Sequence, residues 1–326
     1  MTTLKQTIIT ELDILRRIST TETAGVFKAR SYAAAIKALE AIPAINTAAD
    51  LPPPKKGDGL GAEIRKKIAH IIEHGSLDIP ADVRASATAL EAFQNIYGVG
   101  PKKAQDLIAA GYTTIAQLRT AAAANPKLLN KNQQIGLRYY DDLLTRIPRA
   151  EMDQHATTLM AAKPAALEGV IVGSYRRGAT NSGDIDMLIR TADATVDAGA
   201  ALATFVATLK TRGYIREVLA QGPHKCLAIS QLPGSPARRL DLLVTPPEEF
   251  PFAVFYFTGC DTFNVAVRSH ALERGYTLNE HALTQVSTGK PVSGIRMEKD
   301  IFTVLKLQWR EPHERTGPDA VVFCGS

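Results

Sequence analysis

"GSYRRGATNSGDIDMLI", residues 173–189, is the stretch that decides the fold of this chain. It holds two acids one residue apart, Asp184 and Asp186, followed by aliphatic residues. Residues i and i+2 of a β-strand point to the same side, so the pattern predicts two carboxylates on one face of a strand. Neighbouring carboxylates repel each other, and a divalent cation relieves that repulsion. Because Mg²⁺ prefers oxygen ligands, we expect a metal-dependent site here.

The turn before the acids has the composition of a phosphate site. Gly173 and Ser174 close a predicted strand and begin a helix, whose N–H groups and hydroxyl suit a triphosphate. Arg177 is the expected cationic clamp, and Gly183 lets the backbone approach the same phosphates. A later predicted strand, "RRLDLLV", supplies a third acid, Asp241. An Asp-x-Asp pair alone is common in loops, but this combination is far more specific.

Composition excludes several classes of protein. The 326 residues are 45% hydrophobic and 22% charged, which is an ordinary globular mixture. No apolar run is long enough to cross a bilayer, and we expect no signal peptide. Three separated cysteines predict no disulfide framework and favour an intracellular location, and we expect no zinc site from the seven histidines. Residues 1–150 hold 20 basic and 14 acidic residues, against 18 and 19 in the remainder, which indicates a polyanionic partner.

The hydrophobic period changes near residue 150. Spacings of three and four predict helices in the first half, for example in "TIITELDILRRI", "SYAAAIKALEAI" and "AEIRKKIAHIIEHG". The second half predicts a helix in "VDAGAALATFVATLKTRG" and strands in "LEGVIVGS", "DIDMLIR", "YIREVLAQ", "HKCLAISQL", "RRLDLLVT" and "AVFYFTG". The chain therefore reads as an all-helical part followed by an α+β part.

Two glycine turns lie in the helical half. "GLGAEIRKKIAHII" begins with Gly59 and Gly61, and "GVGPKKAQDLIAAG" begins with Gly98 and Gly100. Each turn precedes a helix with basic residues in its early turns, so its backbone N–H groups can hold a phosphate. This is the arrangement of a helix-hairpin-helix, which binds a DNA backbone without reading sequence. An ordinary helical hairpin with glycine is the alternative, and two such turns in one basic half favour DNA.

Taken together, these segments resemble the family X DNA polymerases. The similarity extends to "FQNIYGVGPKKAQDLIAAGYTTIAQL", "NKNQQIGLRYYDDLLTRIPRAEM", "FYFTGCDTFNVAVRSHALERGYTLNE" and "EKDIFTVLKLQWREPHERTG", in order along the chain. The resemblance implies a multidomain fold with α and β parts and no extra modules. Its expected parts are a helical lyase-like DNA-binding domain over 1–80, a helix-hairpin-helix thumb over 81–146, an α+β nucleotidyltransferase palm with a mixed sheet over 147–247, and a small α+β nucleotide-binding subdomain over 248–326.

The implied activity is template-directed filling of short DNA gaps in base excision repair. Asp184, Asp186 and Asp241 would bind two Mg²⁺ ions, with Mn²⁺ as a substitute. Asp241, with Arg239 beside it, would activate the primer 3′-hydroxyl, and Arg268 would contact the template minor groove. Without the resemblance, a solvated helix face is the simpler interpretation of Asp261, Asn264 and Arg268. The implied nucleotide contacts are Gly173, Ser174, Arg177, Gly183, Tyr256, Phe257, Gly259, Asp261 and Asn264.

The resemblance also implies a 5′-deoxyribose-phosphate lyase that works through a lysine Schiff base. The nucleophile falls on Lys67, and neighbouring cations would lower its pKa. Phe27 stands where the family usually has histidine, and Glu63 stands where a lysine would help to bind phosphate. From the residues alone, Lys67 reads as a surface lysine on a DNA-binding helix. The implied DNA contacts are Lys28, Tyr32, Gly59, Gly61, Gly98, Gly100, Lys102 and Arg268, with a monovalent cation at the two glycine turns.

Two other functions remain open. The Gly-Ser and Asp-x-Asp pattern also serves template-independent and RNA-directed nucleotidyltransferases, but the two glycine turns argue against that reading. A non-catalytic scaffold for DNA ends is the other, and the retention of all three acids argues against it. The expected partners are gapped or nicked duplex DNA with a 5′-phosphate, deoxynucleoside triphosphates and repair proteins such as a ligase, with no membrane. We expect a monomer, in the nucleus of a eukaryote or in the cytoplasm of a bacterial or viral host.

Overall fold

The computed structural model describes residues 3–21, 25–55, 57–192 and 195–324, and the chain divides into two units, 1–140 and 141–326. The hydrophobic period predicts the change near residue 150, ten residues beyond this boundary. The helical pattern extends further because the second unit itself begins with helices. Within the described residues, no helix has both the length and the apolar character needed to span a membrane.

The first unit is helical throughout its described part. The sequence places apolar residues on one side of each helix, and some of the helix ends carry caps. Gly75 adopts φ +80° after the third helix, and Thr114 and Asn130 begin later helices with capping boxes. The helices are α1 (Leu4–Thr21), α2 (Val26–Glu40), α3 (Ala62–His74), α4 (Ala81–Gln94), α5 (Pro101–Ala109), α6 (Ile115–Ala124) and α7 (Lys131–Arg138).

Two apolar clusters hold this unit together. Ile8 and Leu12 of α1 pack with residues of α2 and α3 in one cluster, and Phe93 of α4 packs with residues of α5 to α7 in the other. A partly buried ion pair joins α1 to α4, with Arg84 Nη2 donating to Glu11 Oε2 at 2.9 Å. Glu11 also accepts from the backbone N–H of Leu77. Burial opposes ionisation of Glu11, but these hydrogen bonds outweigh it and lower the pKa of its carboxyl.

A five-stranded mixed sheet forms the centre of the second unit. Its strand order is β2-β4-β7-β6-β5, and β4 and β7 are the parallel pair. The elements before and within the sheet are α8 (Tyr140–Leu144), β1 (Ile147–Pro148), α9 (Arg149–Ala162), β2 (Leu167–Ile171), α10 (Gly173–Arg176), β3 (Asn181–Ser182), β4 (Ile185–Thr191), α11 (Ala198–Thr211), β5 (Ile215–Gln221), β6 (Lys225–Gln231) and β7 (Ala237–Val244).

The two faces of this sheet have different partners. Ile185, Met187 and Ile189 point to one face, where they pack against α9 and α11 in the main core. Leu188 points to the opposite face and packs against α12 (Phe250–Thr258). Asp186 shares that second face, because side chains alternate along a strand. The alternation therefore separates the core-forming side chains from the acids.

The C-terminal part contains α12, which contradicts the strand predicted for "AVFYFTG". Phe252 and Phe255 are buried in a C-terminal aromatic cluster, whereas Ala253 and Val254 are buried against the sheet. A helix buried on all sides loses its hydrophobic period, and its aromatic residues then favour a strand prediction. The remaining elements are α13 (Asp261–Glu273), β8 (Tyr276–Leu278), β9 (Leu283–Gln285), β10 (Lys290–Pro291) and α14 (Glu298–Val304), with β8, β9 and β10 forming a small sheet.

Candidate active site

The parallel pairing of β4 and β7 brings two of the predicted acids together. Asp186 and Asp241 are direct partners in the register of the two strands. Asp184 lies immediately before β4 and two residues from Asp186, on the same side of the chain. Three acids that are up to 57 residues apart in sequence therefore meet at one place on the sheet.

Burial of these acids makes their charges costly. Removal from water, together with the facing charge of Asp241, raises the pKa of Asp186 to about 6. Burial also raises the pKa of Asp241, although Arg239 and Lys225 nearby partly offset the effect. The site thus concentrates negative charge where the fold alone does not neutralise it.

Arg239 is the cation closest to the acids. Its guanidinium is hydrogen-bonded to Asp184 through Nη2, and its Nε lies 3.7 Å from Asp241 Oδ1. The second distance is too long for a hydrogen bond, and among the described residues Asp241 Oδ1 is buried without a hydrogen-bond partner. Arg239 therefore hydrogen-bonds to one acid and compensates the facing pair only in part, through its charge near Asp241.

Three carboxylates are a donor set that fits a hard divalent cation. Among the described residues, however, no group of three or more His, Cys, Asp or Glu side chains is arranged to hold a metal ion. The carboxylate of Asp184 is instead hydrogen-bonded to the guanidinium of Arg239. The free Oδ1 of Asp241 and the repulsion felt by Asp186 are what a divalent cation would relieve.

The predicted phosphate turn runs directly past the acids. Gly173 begins the short helix α10 with φ +65°, and a Cβ at this position would lie 3.1 Å from Asp186 Oδ2. Only glycine combines this backbone conformation with this approach. Ser174 Oγ lies 3.0 Å from Ser182 Oγ, which ties the turn to β3. The turn and the carboxylates are therefore neighbours, as the sequence predicts.

Gly183 lies beside a basic residue, Arg146, that no motif in the sequence indicates. A Cβ at Gly183 would lie 3.7 Å from Nη1 of Arg146, whose guanidinium is hydrogen-bonded to Asn181. Arg146 lies in "LLTRIPRAEM", far from Gly183 in sequence, so only the pairing of β1 with β3 brings the two together. Arg146 is a second candidate cation for this side of the site.

Arg177 contacts the backbone instead of projecting freely. Its Nη1 donates to the carbonyl oxygen of Thr258 at 2.6 Å, and a Cβ at Gly259 would lie 3.2 Å from the same nitrogen. Gly259 has φ +68° and follows directly after α12. The predicted clamp therefore lies against the turn that was expected to contact the nucleotide.

The neighbouring arginine has a structural role that the sequence does not reveal. Arg176 donates to both carboxylate oxygens of Glu298 and to Thr258 Oγ1. Glu298 also accepts from Arg315, which is fully buried and surrounded by the rings of Phe255, Phe263, Phe302 and Trp309. Burial lowers the pKa of the Arg315 guanidinium, and the facing Glu298 opposes this shift. This network joins α10 to α12 and α14.

The nucleotide-binding residues predicted after α12 are partly buried. Tyr256 and Phe257 end α12 with their rings 5.3 Å apart. Asn264 is 7% exposed and donates to the Tyr256 carbonyl at 2.7 Å, whereas its Oδ1 has no hydrogen-bond partner in the part of the chain that the structure describes. Asp261 and Arg268 are exposed on the same helix. A solvated face shared by all three residues is therefore excluded, because Asn264 is buried, and the buried residues Phe263 and Val267 belong to the core.

Both glycine turns precede helices in the first unit. Gly59 has φ +78°, and Gly61 is the residue before α3; Gly98 has φ +81°, and Gly100 is the residue before α5. Among the described residues, no side chain caps either helix start. Lys102 is exposed in the first turn of α5, whereas Lys103 donates to the Leu128 carbonyl. Asp58 orders the first turn by accepting from the Leu60 N–H and from Arg65.

The predicted lyase residues lie on two helices of one apolar cluster. Tyr32 of α2 packs against the cluster that contains Ile64 and Ile68 of α3, and Lys67 lies half-buried on α3. Lys66 is paired with Glu63 at 2.9 Å, which raises the pKa of Lys66. Lys28 is exposed on α2, next to Phe27, which is 78% exposed.

Comparisons with known proteins match most of the chain. The models described as "DNA polymerase beta palm", "DNA polymerase beta thumb" and "Fingers domain of DNA polymerase lambda" match residues 146–247, 253–316 and 91–144. The resemblance implies a thumb for the helix-hairpin-helix segment, but this segment matches the fingers model. The thumb model matches the C-terminal segment instead.

Two relatives are DNA polymerase lambda of Rattus norvegicus and of Arabidopsis thaliana. The first is 34% identical over an alignment of 312 residues, and the match covers 89% of this chain and 52% of the relative. The second is 31% identical over an alignment of 312 residues, and the match covers 87% of this chain and 57% of the relative. The chain thus spans little more than half the length of these relatives. Because the matched models follow one another along the chain and the palm model spans the strands that carry the acids, the chain belongs to the family X DNA polymerases.

Proposed function

We propose that this chain is a template-directed DNA polymerase that fills short gaps in DNA during base excision repair. The observation that carries the proposal is the register of β4 and β7, which sets Asp186 opposite Asp241 beside Asp184. Burial raises the pKa of both acids, and the facing charge of Asp241 also raises that of Asp186; such shifts are typical of a catalytic site. The names of the two relatives support the same class of activity.

In the proposed reaction, the primer 3′-oxygen attacks the α-phosphorus of a deoxynucleoside triphosphate, and pyrophosphate leaves. Asp184, Asp186 and Asp241 would hold two Mg²⁺ ions, or Mn²⁺ as a substitute. When bound, the ions lower the pKa of the 3′-hydroxyl and neutralise charge at the α-phosphate. Asp241 is the proton acceptor, because burial raises its pKa and makes its carboxylate a stronger base. Arg239 orients the acids from one side.

The residues around the acids would hold the nucleotide. Gly173 and Ser174 offer backbone N–H groups and a hydroxyl to the triphosphate, and Gly183 leaves room for it. Arg177 would exchange the Thr258 carbonyl for a phosphate oxygen, with Arg146 as a second cation. Tyr256, Phe257 and Gly259 would lie against the sugar, Asp261 and Asn264 would contact the nucleotide, and Arg268 would contact the template minor groove.

The first unit would bind the DNA backbone. The turns at Gly59–Gly61 and Gly98–Gly100 present helix starts without side-chain caps, which suits phosphate oxygens, and Lys102 adds a charge. A monovalent cation at these turns would strengthen the same contacts. The substrate would be gapped or nicked duplex DNA with a 5′-phosphate. The enzyme would be a monomer, and its repair partners would include a ligase. We propose a nuclear location if the source is a eukaryote.

A second proposed activity is removal of a 5′-deoxyribose phosphate. Lys67 would attack the sugar aldehyde to form a Schiff base with loss of water, and β-elimination would then release the DNA end. Tyr32 and Lys28, on the helix that packs in the same cluster, would hold the 5′-phosphate. We expect Lys67→Ala to abolish borohydride trapping on such an end while sparing gap filling. Unchanged trapping would assign the nucleophile to another lysine, such as Lys66.

The decisive experiment compares wild type with Asp241→Ala on a duplex that has a single-nucleotide gap and a 5′-phosphate, in the presence of Mg²⁺. Templated insertion by the wild type alone supports the polymerase and its third acid together. Insertion regardless of the template base would favour a terminal transferase. No insertion by either protein, with tight binding of the gap, would favour a scaffold.

A further inference from the structure

Helix α7 packs directly behind the second glycine turn. Gln133 of α7 is 8% exposed, and its Nε2 donates to the carbonyl oxygen of Gly98 at 3.0 Å. A Cβ at Gly98 would lie 3.5 Å from Gln133 Cγ and 3.6 Å from Asn132 Cβ. The turn therefore rests on the first turn of α7, and one side chain from α7 fixes its carbonyl.

Gly136 makes the contact closer still. It lies three residues after Gln133, on the same side of α7. A Cβ at Gly136 would lie 2.5 Å from the Tyr97 carbonyl oxygen and 2.7 Å from the Tyr97 nitrogen. Real side chains do not occupy such positions, so any larger residue would displace the chain at Tyr97, immediately before the turn.

Gln133 has two roles that can be separated. Its side-chain oxygen accepts from the Asn130 N–H in a capping box at the start of α7, and its amide nitrogen reaches the turn. Gln117 occupies the equivalent capping position at the start of α6, where its oxygen accepts from Thr113 and Thr114. Gln117 has no hydrogen bond to either glycine turn among the described residues, so it is a matched control for the capping role.

We propose that Gln133 and Gly136 are positioning residues for DNA: they set the Gly98–Gly100 turn so that the N–H groups at the start of α5 converge on a phosphate. The proposal rests on the DNA binding proposed above. Gly98 has φ +81°, and its carbonyl is turned inward by Gln133. The first N–H groups of α5 have no carbonyl within the helix, and no side chain caps them. Their direction depends on the turn, and the direction of the turn depends on α7.

The test measures binding of a gapped duplex across a salt series for wild type, Gln133→Met and Gln117→Met. Methionine removes the amide but keeps the length of the side chain. We expect Gln133→Met to weaken binding about tenfold and to lower the salt slope by roughly one phosphate contact. The Michaelis constant for DNA should rise, with kcat unchanged at saturating DNA. Gln117→Met, which removes only a capping acceptor at an exposed position, should keep wild-type binding.

Gly136→Ala is the second variant, and Gly222→Ala is its control, because a Cβ at Gly222 would meet no atom within 4 Å. We expect Gly136→Ala to reproduce the lower salt slope. Unchanged affinity and slope in a folded Gln133→Met protein would overturn the inference, as would equal losses in Gln133→Met and Gln117→Met. If Gly136→Ala does not fold, Gln133→Met alone decides. A flat salt dependence in the wild type would instead contradict the proposed DNA binding.

Discussion

The acidic site and the glycine turns obtain their chemistry in opposite ways. At the acids, the fold concentrates charges that repel each other, and burial raises the pKa of both Asp186 and Asp241. At the turns, phosphate binding would depend on backbone N–H groups and on glycines. The backbone conformation that exposes these N–H groups also lets the turns pack closely against neighbouring residues. We infer that activity and stability oppose each other at the acids and coincide at the turns. Variants at the two regions should therefore change the two properties in different directions.

The largest expected effect is that of Asp186→Asn on the rate of gap filling. The amide keeps the shape of the side chain but loses the charge that binds a cation, so we expect a fall on the order of 10³-fold or more. The free energy of unfolding of the metal-free protein should rise at neutral pH, since an amide can donate to the facing Asp241. Single-turnover kinetics and denaturant unfolding in a chelator measure the two quantities. If Asp186→Asn lowered both the rate of gap filling and the free energy of unfolding, activity and stability would not oppose each other at this site.

The pH dependence of stability sharpens the same point. The carboxyl of Asp186 has an ordinary pKa of 3.8 and a pKa of about 6 in the folded protein. Between these values the folded state binds more protons than the unfolded state. The contribution of Asp186 to the free energy of unfolding is therefore fully present below about pH 4 and is lost as pH rises through about 6. The loss attributable to Asp186 is roughly 1–3 kcal/mol. Thermal unfolding of metal-free wild type and Asp186→Asn should differ most above this window, and parallel curves would contradict the assignment.

Sequence patterns predict the parts of this molecule that depend on short-range spacing. The Asp184–Asp186 pair, the glycine turns and the Gly75 cap follow from local rules, and the structure has each of them. The pairing of Asp186 with Asp241 is harder to predict from the sequence. Parallel strands are joined by long connections, and the register between them is fixed only by packing.

Four features lie beyond such patterns. The sequence of helix α12 shows no amphipathic period, because the helix is buried on two sides. Its pattern therefore predicts a strand. The Arg176–Glu298–Arg315 network and the contact of Arg146 with the Gly183 turn join segments that are distant in sequence. Gly136 has no local signal at all, because its role becomes visible only when α7 meets Tyr97.

The two glycines of the first turn provide a smaller and direct test of the comparison. A Cβ at Gly59 would lie 2.9 Å from the Ala34 carbonyl oxygen, and Gly59 has φ +78°; a Cβ at Gly61 would meet no atom within 4 Å. We expect Gly59→Ala to cost about 1–3 kcal/mol of stability and to weaken DNA binding as well. Gly61→Ala should stay within about 0.5 kcal/mol of wild type. Denaturant unfolding gives the free energy of unfolding, and a binding titration gives the affinity for DNA. If Gly59→Ala kept its stability but lost DNA binding, stability and binding would not depend on the same geometry at this turn.

The smallest expected effects come from two adjacent lysines in the second turn. Lys102 is exposed at the start of α5, whereas Lys103 donates to the Leu128 carbonyl at 2.8 Å. Lys102→Ala should lower the salt slope of DNA binding by about 0.9, the value for one phosphate contact, with little change in stability. Lys103→Ala should cost about 1 kcal/mol of stability and leave the slope near that of wild type, because its ammonium is engaged within the protein. Equal slopes for both variants would mean that the charge of this helix start, and not the position of one lysine, determines the contact with phosphate.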